Sequence, residues 1–222
     1  MNPTLSFVEC RVLGSLIEKE LTTPEYYPLT LNALQAACNQ KSNRDPEMAL
    51  DPKTVARTVE DLRYKHLAWE VTITGSRVPK YKHDLPSQLP LSPSELAVLC
   101  ELMLRGPQTS GELRTRASRM QPFADVAAVE QVLQALMTRE VPIVAKLPVS
   151  PGRREARFAQ LLTGAVVELA VAAVAPVSVS PAMAEVRAEN DRLAALEQTV
   201  ATLRVDVDEL KQKLTALQKL ME

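Results

Sequence analysis

The chain has 222 residues, of which 46% are hydrophobic and 24% charged, and its formal net charge is −1. This length allows one or two domains and a tail, and the near-neutral charge excludes a strongly basic nucleic-acid-binding domain. In residues 1–88 the number of Lys and Arg residues equals the number of Asp and Glu residues. Residues 91–164 contain 9 Lys and Arg against 7 Asp and Glu, and residues 165–222 contain 6 against 9. A DNA site must therefore depend on local clustering of cations.

Three cysteines and one apolar run bear on the cellular compartment. Cys10, Cys38 and Cys100 are odd in number and widely spaced, which argues against a disulfide framework or a zinc site and predicts reduced core residues. The chain does not start with a cationic stretch followed by an apolar one, so we expect no secretory signal. Residues 161–179 are apolar but include a glutamate and a proline, which argues against a membrane span. We therefore expect a cytoplasmic protein with no membrane partner.

The first 88 residues predict three helices followed by a β-hairpin. The stretch "LSFVECRVLGSLIEKE" carries apolar residues at helical spacing, and Ser6 with Glu9 forms a capping-box pattern at its start. The stretches "TLNALQAACNQ" and "DPKTVARTVEDLRYKHL" predict a short second helix and a third helix that Asp51 caps. The apolar period then changes to two, which predicts a strand with Trp69 and Val71 facing the core, and "RVPKYK" returns as its partner strand.

The same order of elements recurs in residues 89–164. "SPSELAVLCELMLRG", "TSGELRTRAS" and "DVAAVEQVLQALMTRE" match the three helices, and "VPIVAKLPVSPGRREARFAQL" predicts a second hairpin. The matching pairs are Val12/Val98, Leu34/Leu113, Val55/Val129, Leu62/Leu136 and Trp69/Ile143. The spacing between partners changes only in loops, as insertions should. The repeat predicts an α+β, mostly α protein with tandem winged helix-turn-helix domains at residues 1–88 and 89–164.

Two long segments also resemble a known family. "LIEKELTTPEYYPLTLNAL" and "ACNQKSNRDPEMALDPKTVARTVEDL" are similar to the signature of the YceH family. This family consists of bacterial proteins of unknown function with two winged helices, and the resemblance covers residue 5 to about residue 164. The resemblance implies a tandem winged-helix fold and implies no biochemical activity.

Residues 165–222 form a separate tail. Residues 165–184 are rich in Ala, Val and Pro and are interpreted as a linker, and residues 185–222 predict a coiled-coil helix. The seam positions of its heptads are Leu193, Leu196, Val200, Leu203, Val207, Leu210, Leu214, Leu217 and Met221. Val at a and Leu at d favour two parallel strands, so we expect a homodimer through this helix. No polar seam residue fixes the register, so a trimer and docking of the helix on its own chain stay open.

The third helix and the loop before it carry the main cluster of candidate DNA contacts. The predicted outward face of this helix begins with cations and hydroxyls, which suits phosphates and base edges because the motif reads DNA with the N-terminal residues of that helix. The loop adds polar groups that would fix the register on the DNA backbone. The candidates are Lys41, Asn43, Arg44, Lys53, Thr54, Arg57 and Thr58. Alternatively, the polar groups of the loop only cap and pin the third helix.

Further candidates lie on the hairpins and in the second domain. The hairpins, or wings, carry cations that would lie along phosphates. Alternatively, these cations are solvated surface charges. They are Arg77, Lys80, Arg153, Arg154 and Arg157. The candidate phosphate contacts of the second domain are Arg114, Arg116 and Arg119. The third helix of the second domain begins with Val126, Ala127 and Ala128 and has no cation until Arg139, which predicts a protein interface rather than a DNA reader.

The residue inventory argues against catalysis and against single-strand binding. Only eight residues are aromatic, and Trp69, Tyr81 and Phe158 are predicted in the core. Duplex DNA is therefore favoured over single strands or RNA, which need stacking faces. The sequence has no histidine paired with a placed nucleophile, no Gly-rich phosphate loop and no metal-ligand cluster. We expect no enzymatic activity, no cofactor and no metal.

Two functions of different kinds fit these patterns. The first is a duplex-DNA-binding protein, a transcriptional regulator that binds as a dimer through its first winged helix and its basic wings. The alternative is a winged-helix protein–protein adaptor in a bacterial chromosome-organising or regulatory complex, without DNA readout. The loop at residues 41–44 and the wings favour DNA, whereas the near-neutral charge and the cation-free helix of the second domain favour the adaptor.

Overall fold

The computed structural model describes residues 3–72, 78–149 and 155–164. The predicted linker at residues 165–184 and the predicted coiled-coil helix at residues 185–222 lie outside this part of the chain, as do residues 73–77 and 150–154 of the two hairpins. Over the described residues the fold is α+β and mostly helical, with seven α-helices and two small antiparallel sheets.

Three main helices form the first half of this region, residues 3–88. They are α1 (Phe7–Thr22), α2 (Leu31–Cys38) and α3 (Pro52–Tyr64). The capping box predicted for α1 is confirmed, because the Ser6 hydroxyl accepts from the Glu9 amide and the Glu9 carboxylate accepts from the Ser6 amide. Asp51 caps α3 by accepting from the amides of Lys53 and Thr54, at 2.9 and 3.0 Å. These caps satisfy amides that have no partner inside the helix.

A three-stranded antiparallel sheet closes the first half. Its strands are β1 (Leu29–Thr30), β2 (Ala68–Val71) and β3 (Lys80–His83), in the order β1-β3-β2. Tyr81 and His83 of β3 are buried and face the core. A short 3-10 turn (Pro24–Tyr26) precedes β1, and the short helix α4 (Leu85–Gln88) follows β3.

The predicted core position of Trp69 is wrong. Trp69 is 43% exposed, whereas Leu67 and Ala68 just before it are fully buried. Strand β2 pairs Ala68 with His83 and Trp69 with Lys82, so Ala68 shares the inner face with the buried histidine and Trp69 points to the other side. The period of two was predicted correctly, but its phase was one residue off, which moves every side chain to the opposite face.

The second half, residues 89–164, has the same order of main elements. They are α5 (Pro93–Arg105), α6 (Ser110–Ala117), α7 (Val126–Met137), β4 (Val144–Lys146) and β5 (Phe158–Gln160). The predicted capping box of Ser92 and Glu95 is confirmed at the start of α5. An isolated bridge between Gln108 and Phe158 takes the place of the β1–β3 pairing, directly before the second helix of this half.

Buried residues correspond between the two halves. The predicted pairs Leu34/Leu113, Val55/Val129 and Leu62/Leu136 consist of fully buried residues. The predicted pair Trp69/Ile143 is corrected to Leu67/Ile143, because the amides of Leu67 and Ile143 donate to the equivalent carbonyls of Leu62 and Leu136, at 2.9 and 3.2 Å. The described residues are therefore compatible with winged-helix architecture.

Helices α1 and α5 pack against each other and join the two halves. The Cys100 thiol of α5 donates to the Gly14 carbonyl of α1 at 3.3 Å, and these two residues have the same spacing along the chain as the repeat pair Val12/Val98. A Cβ on Gly14 would lie 3.0 Å from Cδ2 of Leu104. The close approach of the helices therefore depends on the missing side chain of Gly14.

The three cysteines behave as the sequence predicted. Cys10, Cys38 and Cys100 are free and buried. Burial raises the pKa of Cys10 to about 12 and that of Cys38 to about 11. No helix in the described parts of the chain is long and apolar enough to cross a membrane.

Candidate nucleic-acid interface

The exposed face of α3 carries two cations in its first two turns. Val55, Val59 and Leu62 are fully buried and fix the inner face of the helix. Lys53 and Arg57 are exposed and four residues apart, so their side chains are neighbours on the outer face. Within the residues that the structure describes, neither forms an ion pair. Both charges are therefore available to an anionic partner.

The two threonines predicted on this face serve the helix itself. The Thr54 hydroxyl donates to the Asp51 carboxylate at 2.6 Å, and hydrogen bonds from Thr54 and from the helix amides hold the pKa of Asp51 below its ordinary value. Thr58 is buried, and its hydroxyl donates to the carbonyl of Thr54 at 2.8 Å. Thr58 is therefore removed from the candidate interface, and α3 presents Lys53 and Arg57 instead.

The C-terminal half of α3 is acidic and partly neutralised. Glu60 pairs with Arg63 at 2.7 Å, and Arg63 also contacts Glu70 at 3.1 Å. Asp61 is exposed one turn after Arg57. The uncompensated positive part of α3 is therefore confined to its first two turns.

The prediction that Arg44 contacts DNA is wrong, because its side chain lies inside the protein. Its guanidinium is fully buried and pairs with the buried carboxylate of Glu18, and its Nε and Nη2 donate to the Ala37 carbonyl at 3.1 and 2.8 Å. Burial favours a higher pKa for Glu18, but the hydrogen bonds and charges of Arg44 and Arg119 outweigh burial and leave that pKa lowered. A buried carboxylate needs such a partner, so Arg44 is held by α1 and cannot reach DNA.

Asn43, on the same loop, is also a structural residue. The Arg105 guanidinium of α5 donates to the side-chain carbonyl of Asn43. Two residues later, the backbone amide of Asp45 donates to the Leu104 carbonyl at 3.0 Å. Asn43 is half-buried and has a positive φ of 58°, a backbone conformation that Asn tolerates better than most residues. The loop thus connects the two halves, and of its three candidates only Lys41 is exposed.

Two second-half candidates hold the second hairpin to α6. Arg116 donates to Gln108 Oε1 at 2.7 Å and pairs with Glu112 at 3.4 Å. Arg157 donates to the Pro107 carbonyl at 2.6 Å and pairs with the same glutamate at 3.2 Å. Both arginines are half-buried, and both form an ion pair with Glu112.

Two further arginines of the second half differ in their contacts. Arg119 is exposed, but it pairs with the buried carboxylates of Glu18 of α1 and Glu101 of α5, so its charge is used at the junction between the halves rather than on a phosphate. Arg114 is exposed, and within the described residues its side chain donates a long hydrogen bond of 3.4 Å to the Ala124 carbonyl. Arg114 therefore stays accessible to a partner.

Helix α7, the counterpart of α3, presents a face without cations. Val126 and Ala127 are exposed at its start. The exposed residues further along are Gln131, Gln134 and Ala135. Glu130 is the one charged residue of the helix, and the Ser110 hydroxyl donates to it at 3.1 Å. This surface has no group that would neutralise a phosphate.

The wing cations are described only in part. Lys80 is half-buried on β3, opposite Val71 of β2 and Thr30 of β1. Arg77, Arg153 and Arg154 lie outside the described residues, and so do the predicted coiled-coil residues 193–221.

Comparison with known proteins places the chain in a family. A family described as "Protein of unknown function, DUF480" matches residues 5–153. The chain belongs to the DUF480 family. A UPF0502 protein of Geobacter sulfurreducens is 59% identical over 203 residues, which cover 91% of each chain. A UPF0502 protein of Geotalea uraniireducens is 55% identical over 218 residues, 95% of this chain and 98% of the relative. One of Aliivibrio fischeri is 49% identical over 217 residues, 96% of this chain and 97% of the relative.

The predicted resemblance to YceH proteins is thereby confirmed, since these form the UPF0502 family of unknown function. The relatives' names assign no activity to this DUF480 protein, so its function has to be argued from its own surface. In the described residues there is no group of three or more His, Cys, Asp or Glu side chains that could hold a metal ion.

Sequence reasoning missed two surface residues of this DUF480 protein. Trp69 was predicted in the core and is exposed, and Lys82 was not considered although it lies exposed opposite Trp69. The stretch "KYKH" contained the signal, because its aromatic and imidazole side chains, Tyr81 and His83, alternate with lysines and are the inner face of β3. Pairing that alternation with β2 would have placed Trp69 on the outer face.

Proposed function

We propose that this DUF480 protein contains two tandem winged helices and binds duplex DNA through the first of them, as a transcriptional regulator. The observation that supports this most strongly is the pair Lys53 and Arg57. They are exposed on the first two turns of α3 and have no counter-ion among the described residues. In a winged helix-turn-helix protein this part of the third helix enters the major groove.

The cations on the first half divide into reading and positioning roles. Arg57 has the planar donor geometry that pairs with guanine edges or with a phosphate, and Lys53 supplies a second charge beside it. Lys41 in the loop and Lys80 on β3 contact the phosphate backbone on either side and fix the register. Arg114 of the second half is exposed and forms no ion pair among the described residues, so it can add a backbone contact.

The start of α3 itself is not the phosphate site in this proposal. The Asp51 carboxylate accepts from the Lys53 and Thr54 amides, so the amides that usually attract an anion at a helix N-terminus are occupied. The lowered pKa of Asp51 keeps this carboxylate negative. A phosphate therefore approaches from the side of Lys53 and Arg57 rather than along the helix axis.

We also propose that two chains pair through residues 193–221 and that the protein acts in the cytoplasm. The pairing rests on the heptad pattern of the sequence, because these residues lie outside the described part of the chain. Arg77, Arg153 and Arg154 also lie outside the described residues, and the sequence pattern alone supports their proposed contacts with phosphates. Linking two weak DNA sites in one dimer raises the overall affinity without any new contact.

Binding to random duplex DNA is the direct test of this proposal. The purified full-length protein should bind a labelled random duplex at low ionic strength, on the order of 50 mM salt, where phosphate contacts are strong. Repeated selection from that pool should enrich a sequence motif if base edges are read. Absence of binding to any duplex at that ionic strength would contradict the proposal.

The adaptor function is the second candidate, and α7 favours it. Its exposed face carries Ala and Gln side chains and no cation. Most arginines of the second half form ion pairs with glutamates of the protein. Such a face suits an uncharged protein surface better than a phosphate backbone. Failure to bind duplex DNA, together with loss of a protein partner on introducing Ala127→Glu or Ala135→Glu, would favour the adaptor.

A further inference from the structure

The only tryptophan of the chain is held at the surface in a fixed orientation. Trp69 is 43% exposed, yet its Nε1 donates to Asp84 Oδ2 at 2.7 Å. Asp84 is itself fixed, because its Oδ1 accepts from the Ser87 hydroxyl at 2.6 Å. The His66 ring lies 6.1 Å from the indole, centre to centre. The indole N–H is thus satisfied within the protein, and what remains available to a partner is the face of the ring.

Two lysines share the outer face of the sheet with this ring. The register pairs Trp69 with Lys82 and Val71 with Lys80, and paired residues of an antiparallel ladder point to the same side. Neither lysine forms an ion pair within the described residues. Glu70 points to the opposite face, where it contacts Arg63 at 3.1 Å. Among the described residues, Asp84 is the carboxylate beside the ring; hydrogen bonds from Ser87 and Trp69, together with the charge of Lys82, hold its pKa below the ordinary value.

An exposed, fixed aromatic face with cations beside it is an arrangement that binds unpaired nucleotides. Bases stack on aromatic side chains, and nearby cations neutralise the phosphates that connect them. A protein partner for Trp69 would have to be acidic to match Lys80 and Lys82, whereas a nucleotide brings the negative charge and the flat ring together. The charge and the ring geometry therefore favour nucleic acid.

We propose that Trp69 stacks on an unpaired base of a DNA strand, and that Lys82 contacts the phosphates of that strand while Lys80 contacts the adjoining duplex. This inference rests on the proposed function, because the unpaired base would belong to a DNA whose duplex part is held by α3. Trp69 lies five residues after Tyr64, the last residue of α3, so the stacked base lies beyond the first two turns of the helix that hold the duplex.

The proposed ligand is therefore a junction between duplex and single-stranded DNA. Blunt duplex DNA offers no unpaired base and would use α3 and the backbone-contacting cations without Trp69. A duplex with a single-stranded extension would use both α3 and the outer face of the sheet. The preference for the junction is the property that distinguishes this inference from duplex binding.

Fluorescence of the single tryptophan tests the inference with the full-length protein. The protein is titrated with a blunt duplex and with the same duplex carrying a single-stranded extension. We expect the extended DNA to bind about tenfold more tightly, which lies within the effect of stacking one base, and to quench the emission of Trp69. The blunt duplex should bind without that quenching.

Matched substitutions decide which residue is responsible. Because these variants carry no tryptophan, their affinities for the two DNAs are measured by the anisotropy of a label on the DNA. Trp69→Ala should abolish the preference for the extended DNA, and Trp69→Phe should retain most of it. Tyr26→Ala removes another exposed aromatic, from the 3-10 turn, and should leave the preference intact. Circular dichroism and the thermal midpoint establish that each variant is folded.

The outcomes separate the inference from the proposed function. Equal affinity for the two DNAs, or a preference that persists in Trp69→Ala, would overturn the inference and leave duplex binding standing. No binding to either DNA would overturn both. Quenching by an acidic protein but by neither DNA would mean that the outer face of the sheet is a protein-binding surface.

Discussion

The guanidinium of Arg44 and the carboxylate of Glu18 form an ion pair in which both side chains are fully buried. The pair ties the loop after α2 to α1, close to where α5 packs on α1. Arg119 reaches the same carboxylate from the second half. The loop that looked like a DNA contact in the sequence is therefore mainly a structural connection between the halves.

Replacing Arg44 should destabilise the fold strongly. Arg44→Ala leaves the buried carboxylate of Glu18 with only the partly exposed Arg119 and Lys19 as partners, and breaking a buried pair in this way typically costs about 3–5 kcal/mol. Urea unfolding followed by circular dichroism measures the change in the free energy of unfolding. The exposed Lys41 on the same loop provides the control, since Lys41→Ala should change stability by less than about 0.5 kcal/mol. Equal effects of the two substitutions would show that the Arg44 pair does not stabilise the fold.

The stability of the protein should depend on pH through Glu18. Because the pKa of Glu18 is lowered in the folded state, the unfolded chain binds a proton more readily than the folded one. The stabilisation is therefore fully present above the unfolded value of about 4.3 and is lost as the pH falls through the folded pKa. The difference in unfolding free energy between the protein and Glu18→Gln should be largest near neutral pH and should shrink in acid. A difference that stays constant over that range would contradict this assignment.

The contact of α1 with α5 should not tolerate a large side chain at Gly14. A Cβ there would already lie 3.0 Å from Leu104, so Gly14→Leu forces the helices apart and should destabilise the protein by about 1–3 kcal/mol or more. Gly111 in α6 has no atom closer than 4.0 Å to its Cβ position. Gly111→Ala should be neutral or stabilising by up to about 1 kcal/mol. Thermal unfolding measures the stability of the two variants. Equal stability of Gly14→Leu and Gly111→Ala would contradict the close packing of α1 and α5 at Gly14.

Removal of residues 186–222 should convert the protein to a monomer. The heptad pattern of the nine apolar seam residues in this segment favours pairing with a second copy of the helix. Light scattering measures the mass, and the affinity for duplex DNA should fall about tenfold or more once the two sites are no longer linked. A truncated protein that stays dimeric would place the interface elsewhere, with the exposed start of α7 as the first candidate. A full-length protein that is already monomeric would indicate docking of the helix on its own chain.

Local signals in the sequence predicted the elements well. The capping residues Ser6 and Ser92 mark the starts of α1 and α5 because their hydrogen bonds involve only the next few residues. The repeat pairs Leu34/Leu113 and Val55/Val129 are buried as predicted, because helical periodicity reports which face is apolar.

Long-range contacts explain where the sequence predictions failed. Arg44 looks like any loop cation until Glu18, 26 residues away along the chain, is seen to be buried beside it. The phase of β2 depends on its pairing with His83 and Lys82, which the apolar pattern of Trp69 and Val71 alone does not reveal. Thr58 turned inward because its hydroxyl bonds to its own helix, so a threonine next to the core gave no sign of its orientation.

The central claim is that Lys53 and Arg57 neutralise DNA phosphates, and the salt dependence of binding tests it most directly. The logarithm of the affinity of the full-length protein for duplex DNA should fall linearly with the logarithm of salt concentration, by about 0.9 for each phosphate contact. The double variant Lys53→Ala, Arg57→Ala should bind more weakly and should flatten this slope by about 0.9 per lost contact. Arg63→Ala removes a charge from the same helix that is already paired with Glu60, and it should leave the slope unchanged. A double variant whose slope equals that of the unmodified protein would contradict the account.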